Sequence, residues 1–247
     1  MATMTDYWAK RAHEDLARSV LCLNRFQALA EVAQPLFRDA MVGRIGRYVG
    51  HTARAVDLGC GLGDWTRAYL AFADTAVGVD VNDAFVAEAG RGAWRHGVAA
   101  RCRFEQRALS DLEIPRAGLI ALGGCAQYFE YDELHALFAG IAAAQAPGDV
   151  FYLRTTVTTL GRSAFATENG RYRSATYYES LAKNAGYRPV ERAYSATVLC
   201  EALAGPRSIQ REAVSLATAS LAAPLWAARQ LVRRSDYLNW VFVRRRP

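Results

Sequence analysis

The run Asp57-Leu58-Gly59-Cys60-Gly61-Leu62-Gly63-Asp64-Trp65 constrains this chain more than any other feature. It follows the short apolar segment Ala55-Val56-Asp57-Leu58, which reads as a buried strand, and it opens a helical pattern over about Asp64 to Phe72. Alternating glycines at a strand-to-helix turn serve a backbone that takes positive φ and comes close to a ligand, where side chains would block the approach. The spacing is GxGxG, with an acid two positions before the first glycine. A dinucleotide-binding loop has GxGxxG instead, so no pyrophosphate cradle is implied.

The segments that follow repeat the alternation. Ala76 to Val79 predicts a second strand ending in Asp80, and Asp83 to Trp94 a helix. Cys102 to Gln106 and Gly118 to Leu122 read as a third and a fourth strand, Leu134 to Ala144 as a helix, and Val150 to Arg154 as a fifth strand after Pro147-Gly148. Strands alternating with helices at this spacing predict an α/β fold, a Rossmann-like sheet of seven mostly parallel strands with helices on both faces. Beyond Thr155 the chain reads as loop through Gly161 and Gly170, then as a helix near Thr176 to Ala185 and a strand near Pro189 to Leu199. A helical segment from about Gln210 to Val232 precedes a last strand from Tyr237 to Val243. Ahead of the core, apolar residues at Leu16, Val20, Leu23, Phe26, Leu29 and Val32 recur every three or four positions, which predicts two or three helices between about Asp6 and Arg47. With 247 residues and no repeat or low-complexity linker, the expectation is one domain: a helical cap over about 1–50, a core over about 51–200 and 236–247, and a helical insert over about 201–235.

Composition removes several classes. Hydrophobic residues make up 52% and charged ones 22%, which is the balance of a packed globular chain. No apolar stretch reaches the roughly 20 residues a membrane span requires, and the early Asp6, Lys10, Arg11, Glu14 and Asp15 do not resemble a signal peptide, so a cytoplasmic location is expected. Five scattered cysteines, Cys22, Cys60, Cys102, Cys125 and Cys200, predict reduced thiols and neither a disulfide framework nor a metal site. The net charge of +6 owes much to Arg233, Arg234, Arg244, Arg245 and Arg246, which suits either a solvated arginine-rich surface or an anionic partner.

The glycine run matches (D/E)xGxGxG at every defined position, and here the chain resembles the class I S-adenosylmethionine-dependent methyltransferases, over roughly Ala55 to Arg154. The resemblance implies a cofactor, S-adenosyl-L-methionine, leaving as S-adenosyl-L-homocysteine, held by Asp57, Gly59, Cys60, Gly61, Gly63 and Trp65. Asp80, 23 positions after Asp57, ends the second strand where a carboxylate accepts hydrogen bonds from both hydroxyls of a ribose, and Val81 follows it. The family often has an acid facing the adenine after strand three; here Ala108-Leu109 stands at that place, a departure that leaves Ser110, Asp111 or the backbone to serve. Gly124 belongs to Gly123-Gly124-Cys125-Ala126-Gln127-Tyr128, the segment that lines the methyl-transfer cleft in such enzymes. It contains no (D/N)PP(Y/F), which speaks against methylation of nucleic-acid bases. Tyr7 and Trp8 are expected on an N-terminal lid over the cofactor, where aromatic faces would attract a sulfonium.

Methyl transfer is an in-line displacement at an activated carbon, so positioning supplies much of the rate and a base is needed only for an acceptor of high pKa. His51 and His96 precede strands and are expected at the wrong edge of the sheet, His135 is expected on a helix surface, and His13 lies beside the lid. His13, Tyr128 and Arg154 are therefore the catalytic candidates, with Arg171, Arg173, Tyr177 and Tyr178 expected near the acceptor. An aromatic and cationic pocket suits an aromatic or anionic small molecule. The resulting expectation is O- or N-methylation of a small molecule in specialised, antibiotic or secondary-metabolite biosynthesis, by a monomer or homodimer without membrane or nucleic-acid partners. Two alternatives stay open: an RNA methyltransferase, and a cofactor-binding protein without catalysis.

Overall fold

The computed structural model describes residues 27–158, 164–167, 170–195, 197, 198, 202 and 235–246. In chain order its elements are α1 (Gln27–Val49), β1 (Thr52–Leu58), α2 (Asp64–Ala68), β2 (Ala73–Asp80), α3 (Asp83–Arg95), β3 (Cys102–Gln106), β4 (Leu119–Gly123), α4 (Tyr131–Ala143), β5 (Val150–Thr158), β6 (Phe165–Thr167), β7 (Gly170–Tyr172), α5 (Ala175–Asn184), β8 (Tyr187–Tyr194) and β9 (Ser235–Arg244).

Strand β1 lies at the middle of the molecule because the residues that end it, Ala55 to Leu58, are buried on both faces, as parallel strands covered by helices are. The sheet order is β3-β2-β1-β4-β5-β9-β8. The first five strands are parallel, and β9 runs antiparallel to both β5 and β8. This is a seven-stranded, mostly parallel Rossmann-like sheet. The chain reverses its direction of travel between β1 and β4, and open sheets of this kind bind ligands at the carboxyl ends of the strands beside such a reversal.

Alternating side chains build two cores. Val56, Leu58, Ile120, Leu122, Phe151, Leu153, Trp240 and Phe242 face α4 and α5, whereas Ala55, Leu119, Ala121, Tyr152 and Val241 face α1, Tyr69 and Phe72. Helix starts are set by local chemistry: the Asn82 side chain accepts the Phe85 amide at 3.2 Å ahead of α3, Ser174 accepts the Tyr177 amide at 3.2 Å ahead of α5, and Glu130 with Glu133 forms a capping box ahead of α4.

Several expected bounds shift. The helix expected to reach Phe72 ends at Ala68 and closes with a 3-10 turn over Tyr69–Ala71, in which the Phe72 amide bonds the Tyr69 carbonyl at 3.1 Å. The stretch expected as loop through Gly170 contains the hairpin β6–β7, joined by an edge-to-face contact of Phe165 and Tyr172 at 5.3 Å; strands of three residues are too short to leave a periodic signal. Strand β8 ends at Tyr194 instead of near Leu199, and its register shifts between Pro189 and Glu191, where proline has no amide to donate. Ahead of the sheet, α1 runs unbroken through Pro35. The rest of the expected N-terminal cap and the insert near Gln210 to Val232 lie outside the described residues.

Candidate cofactor and acceptor site

The turn after β1 is tied down by the neighbouring strand. The amides of Gly59 and Cys60 both donate to the Val79 carbonyl, at 2.8 and 3.0 Å, and Gly63 begins α2 with φ +74. A Cβ on Gly59 would stand 2.7 Å from the Cys125 sulfur, and one on Gly63 would stand 2.5 Å from the Phe104 ring. The first and third glycines are therefore required by contacts inside the protein as well as by backbone conformation. Gly63→Ala is expected to lower the melting temperature by about 10 °C, since positive φ and an overpacked contact each cost on the order of 1–3 kcal/mol. Thermal unfolding checks this, and an unchanged melting point would contradict it.

The two acids have different tasks. Asp57 is 3% exposed, and its Oδ2 accepts the Thr66 hydroxyl at 2.7 Å. Burial pushes its carboxyl up to about 6, while the Thr66 hydrogen bond and the Arg154 charge oppose the rise. Asp80 accepts the Gly61 amide at 2.9 Å through Oδ2 and the Asn82 amide at 3.0 Å through Oδ1, so it clamps the glycine turn to the end of β2. Burial raises its pKa too, against those backbone hydrogen bonds. The Val81 backbone also lies close enough to lower the Asp80 pKa, and a carboxylate with about four lone-pair sites retains room for a further donor. Val81, beside it, is exposed. Beyond β3, Ala108 and Leu109 are half-buried at the start of a 3-10 turn, whereas Ser110 and Asp111 are exposed and bonded to one another at 3.0 Å.

At the end of β4, Gly124 has φ +93, and its amide donates to the Arg154 carbonyl at 2.7 Å. A Cβ there would lie 3.3 Å from the Arg154 guanidinium. That guanidinium sits over the Trp65 ring at 4.9 Å and the Phe37 ring at 5.8 Å, and Trp65 in turn stacks on Tyr152 at 5.7 Å. Arg154 Nε is buried with no acceptor among the described residues. Half-buried Tyr128 closes the turn Ala126–Tyr128, whose other two residues are buried, and the Gln127 side chain braces this turn by donating to the Gly124 carbonyl at 2.7 Å and accepting the Thr155 hydroxyl at 2.9 Å. The structure thus gathers Asp57, Gly59, Cys60, Gly61, Gly63, Trp65, Asp80, Gly124 and Arg154 at one edge of the sheet.

Phe37 and Phe104 shape this edge without having stood out as site residues in the sequence, whereas Cys125, in the segment expected to line the cleft, sits opposite Gly59. Phe37, Met41 and Ile45 recur at helical spacing and are buried, a signal that marks a core face but not what it touches. The Cys60 and Cys125 thiols are held well above their usual pKa by burial, which suits packing and not nucleophilic chemistry. His51 pairs with Asp74 at 3.2 Å on the surface, His96 caps α3, and His135 is exposed on α4 against the Tyr177 ring. Arg171 pairs with Glu130 at 2.7 Å, while Arg173 and Tyr178 are fully buried, so these last two present no surface to an acceptor. Tyr7, Trp8 and His13 lie outside the described residues.

Residues 55–148 match the family model of the methyltransferase domain. Together with the glycine turn, its clamp by Asp80 and the strand order, this match decides the assignment. These residues are a methyltransferase domain. Solved structures agree on the fold. A SAM-dependent methyltransferase of Leishmania major is similar with a TM-score of 0.63 and 16% identity, over 98% of this chain and 87% of that one. The O-methyltransferase from a trans-AT PKS multienzyme of Brevibacillus brevis, in complex with S-adenosyl-L-homocysteine, is similar with a TM-score of 0.61 and 12% identity, over 99% of this chain and 80% of that one. The [4+2]-cyclase SpnF gives a TM-score of 0.62 and 16% identity, over 85% and 82%. No curated protein matches the sequence.

Proposed function

We propose that this methyltransferase acts on an oxygen or nitrogen of a small molecule in specialised metabolism, and that Arg154 recognises an anionic or aromatic acceptor. The orphaned Arg154 Nε carries this reading: a half-buried guanidinium at the catalytic edge, flanked by two aromatic rings, feels the Asp57 charge but forms no ion pair among the described residues, and its buried Nε keeps a donor that a ligand would meet. An O-methyltransferase of a PKS multienzyme among the similar structures supports the natural-product setting. No helix among the described residues is long and apolar enough to cross a membrane, and the reading keeps a cytoplasmic place of action.

The site fits an amino-acid-bearing nucleoside because its turn carries three glycines at positive φ and no side chain larger than Cys60 and Leu62 between them, and the Asp80 carboxylate has lone pairs to spare. Asp80, with Val81 next to it, would hold the ribose, and Ala108 and Leu109 would border the base. Asp57, Gly59, Cys60, Gly61, Gly63, Trp65 and Gly124 would receive the amino-acid end, and Tyr7 and Trp8 would close over it. S-adenosylmethionine supplies a sulfonium-activated methyl group; orientation of the acceptor falls to Arg154 and Tyr128, and His13 is the remaining candidate for taking its proton.

Release of S-adenosylhomocysteine in the presence of a panel of phenols, amines and their carboxylated forms tests the activity. Turnover of RNA in place of every small molecule would overturn it. For a carboxylated acceptor, Arg154→Met is expected to lower kcat/KM about 100-fold, the worth of a charge-assisted pair of hydrogen bonds. The methyl ester of that acceptor should lose much less, and an equal loss for acid and ester would remove the role assigned to Arg154.

A further inference from the structure

On the opposite face of the sheet from the half-buried Arg154, another arginine is buried without an ion pair among the described residues. Arg173 has no exposed surface. Its Nη2 donates to the Phe129 carbonyl at 2.6 Å and its Nη1 to the Arg171 carbonyl at 3.3 Å. Its guanidinium lies over the rings of Tyr131, at 4.5 Å, and Tyr177, at 5.6 Å. Arg173 Nε and the buried hydroxyls of Tyr177 and Tyr178 all lack a hydrogen-bond partner among the described residues. Arg173 and Thr155 stand close enough to the Tyr178 hydroxyl to oppose the rise that burial imposes on its pKa, yet neither meets it in hydrogen-bonding geometry. Arg173 makes no ion pair among the described residues, and the nearby Glu130 is engaged by Arg171.

Arg173 lies against the Tyr177 ring and beside the Tyr178 hydroxyl, and the two rings touch at 5.4 Å, so three unmet donors and one charge without an ion pair among the described residues share one region. A water molecule would accept from two of the donors but leave the buried cation unneutralised, and buried charges are found paired. We propose that Arg173, Tyr177 and Tyr178 enclose a site for a small monoanion of halide or formate size. The site also reaches the catalytic edge. Tyr178 stands beside Thr155, whose hydroxyl bonds Gln127, and Gln127 bonds the carbonyl of Gly124.

The test is thermal unfolding of the full chain after dialysis into chloride, bromide, formate or the bulky gluconate at equal ionic strength. The small anions are expected to raise the melting temperature by about 5 °C at a hundredfold excess over Kd, and gluconate is not. Tyr178→Phe keeps the ring packing and removes one donor, so it should fold and lose most of that rise. Crystals grown in bromide should show an anomalous peak beside Arg173 Nε. Melting that ignores the identity of the anion, a rise that survives in Tyr178→Phe, or density for water alone at that place would each overturn the proposal.

Discussion

Asp80→Ala is expected to weaken binding of S-adenosylmethionine and of S-adenosylhomocysteine about 100-fold. The carboxylate accepts the Gly61 and Asn82 amides, and in the proposed role it also accepts the ribose hydroxyls. Hydrogen bonds to a charged, largely desolvated acceptor are worth about 1.5–3 kcal/mol each, so losing the ribose contacts alone accounts for the factor. Calorimetric titration of both cofactor forms measures it. A cofactor analogue lacking the 2′- and 3′-hydroxyls separates the two tasks of Asp80, because wild type should discriminate against it while Asp80→Ala should not. Equal discrimination by both proteins would leave Asp80 as a clamp on the glycine turn alone. An unchanged affinity of the variant would remove it from the site.

The second large effect lies in stability and has an unusual sign. The Asp57 carboxyl rises from an ordinary 3.8 to about 6 on folding, because burial disfavours its charged form. Between those values the folded chain holds a proton that the unfolded chain has released, so Asp57 makes stability fall as pH rises from about 4 to about 6. Above pH 6 the full cost applies, about 3 kcal/mol for a shift of that size. Asp57→Asn keeps an acceptor for the Thr66 hydroxyl and carries no charge. It is expected to melt about 6 °C above wild type at pH 8, with the gap closing toward pH 4, while binding the cofactor more weakly. Melting curves across that range decide it: a variant no more stable than wild type at pH 8 would mean that the buried carboxylate is compensated better than its surroundings indicate. Arg154 opposes the rise, so Arg154→Met should move the Asp57 midpoint further upward.

Both effects concern residues that stand out in the sequence alone. Asp57 and the three glycines form an unbroken local pattern, and Asp80 closes an apolar run, so strand, turn and helix follow from neighbours in sequence. The bounds of β3 agree to the residue because Cys102 to Gln106 is delimited by polar and glycine-containing turns. Periodicity failed where elements were short, as in β6–β7, and where proline altered a strand without ending it, as in β8.

By itself, then, the sequence determined the alternation of strands and helices, the glycine turn and the acids at the ends of β1 and β2, because each rests on contacts within a few residues or on one repeating period. Only tertiary structure decided that β9 inserts between β5 and β8, that Phe37 and Trp65 flank Arg154, that Cys125 and Phe104 require bare glycines opposite them, and that Arg173 and Tyr178 are buried instead of facing an acceptor. Those outcomes join residues far apart in the chain. They depend on which faces meet when the sheet closes, and the periodicity of one strand or helix carries no record of its partner.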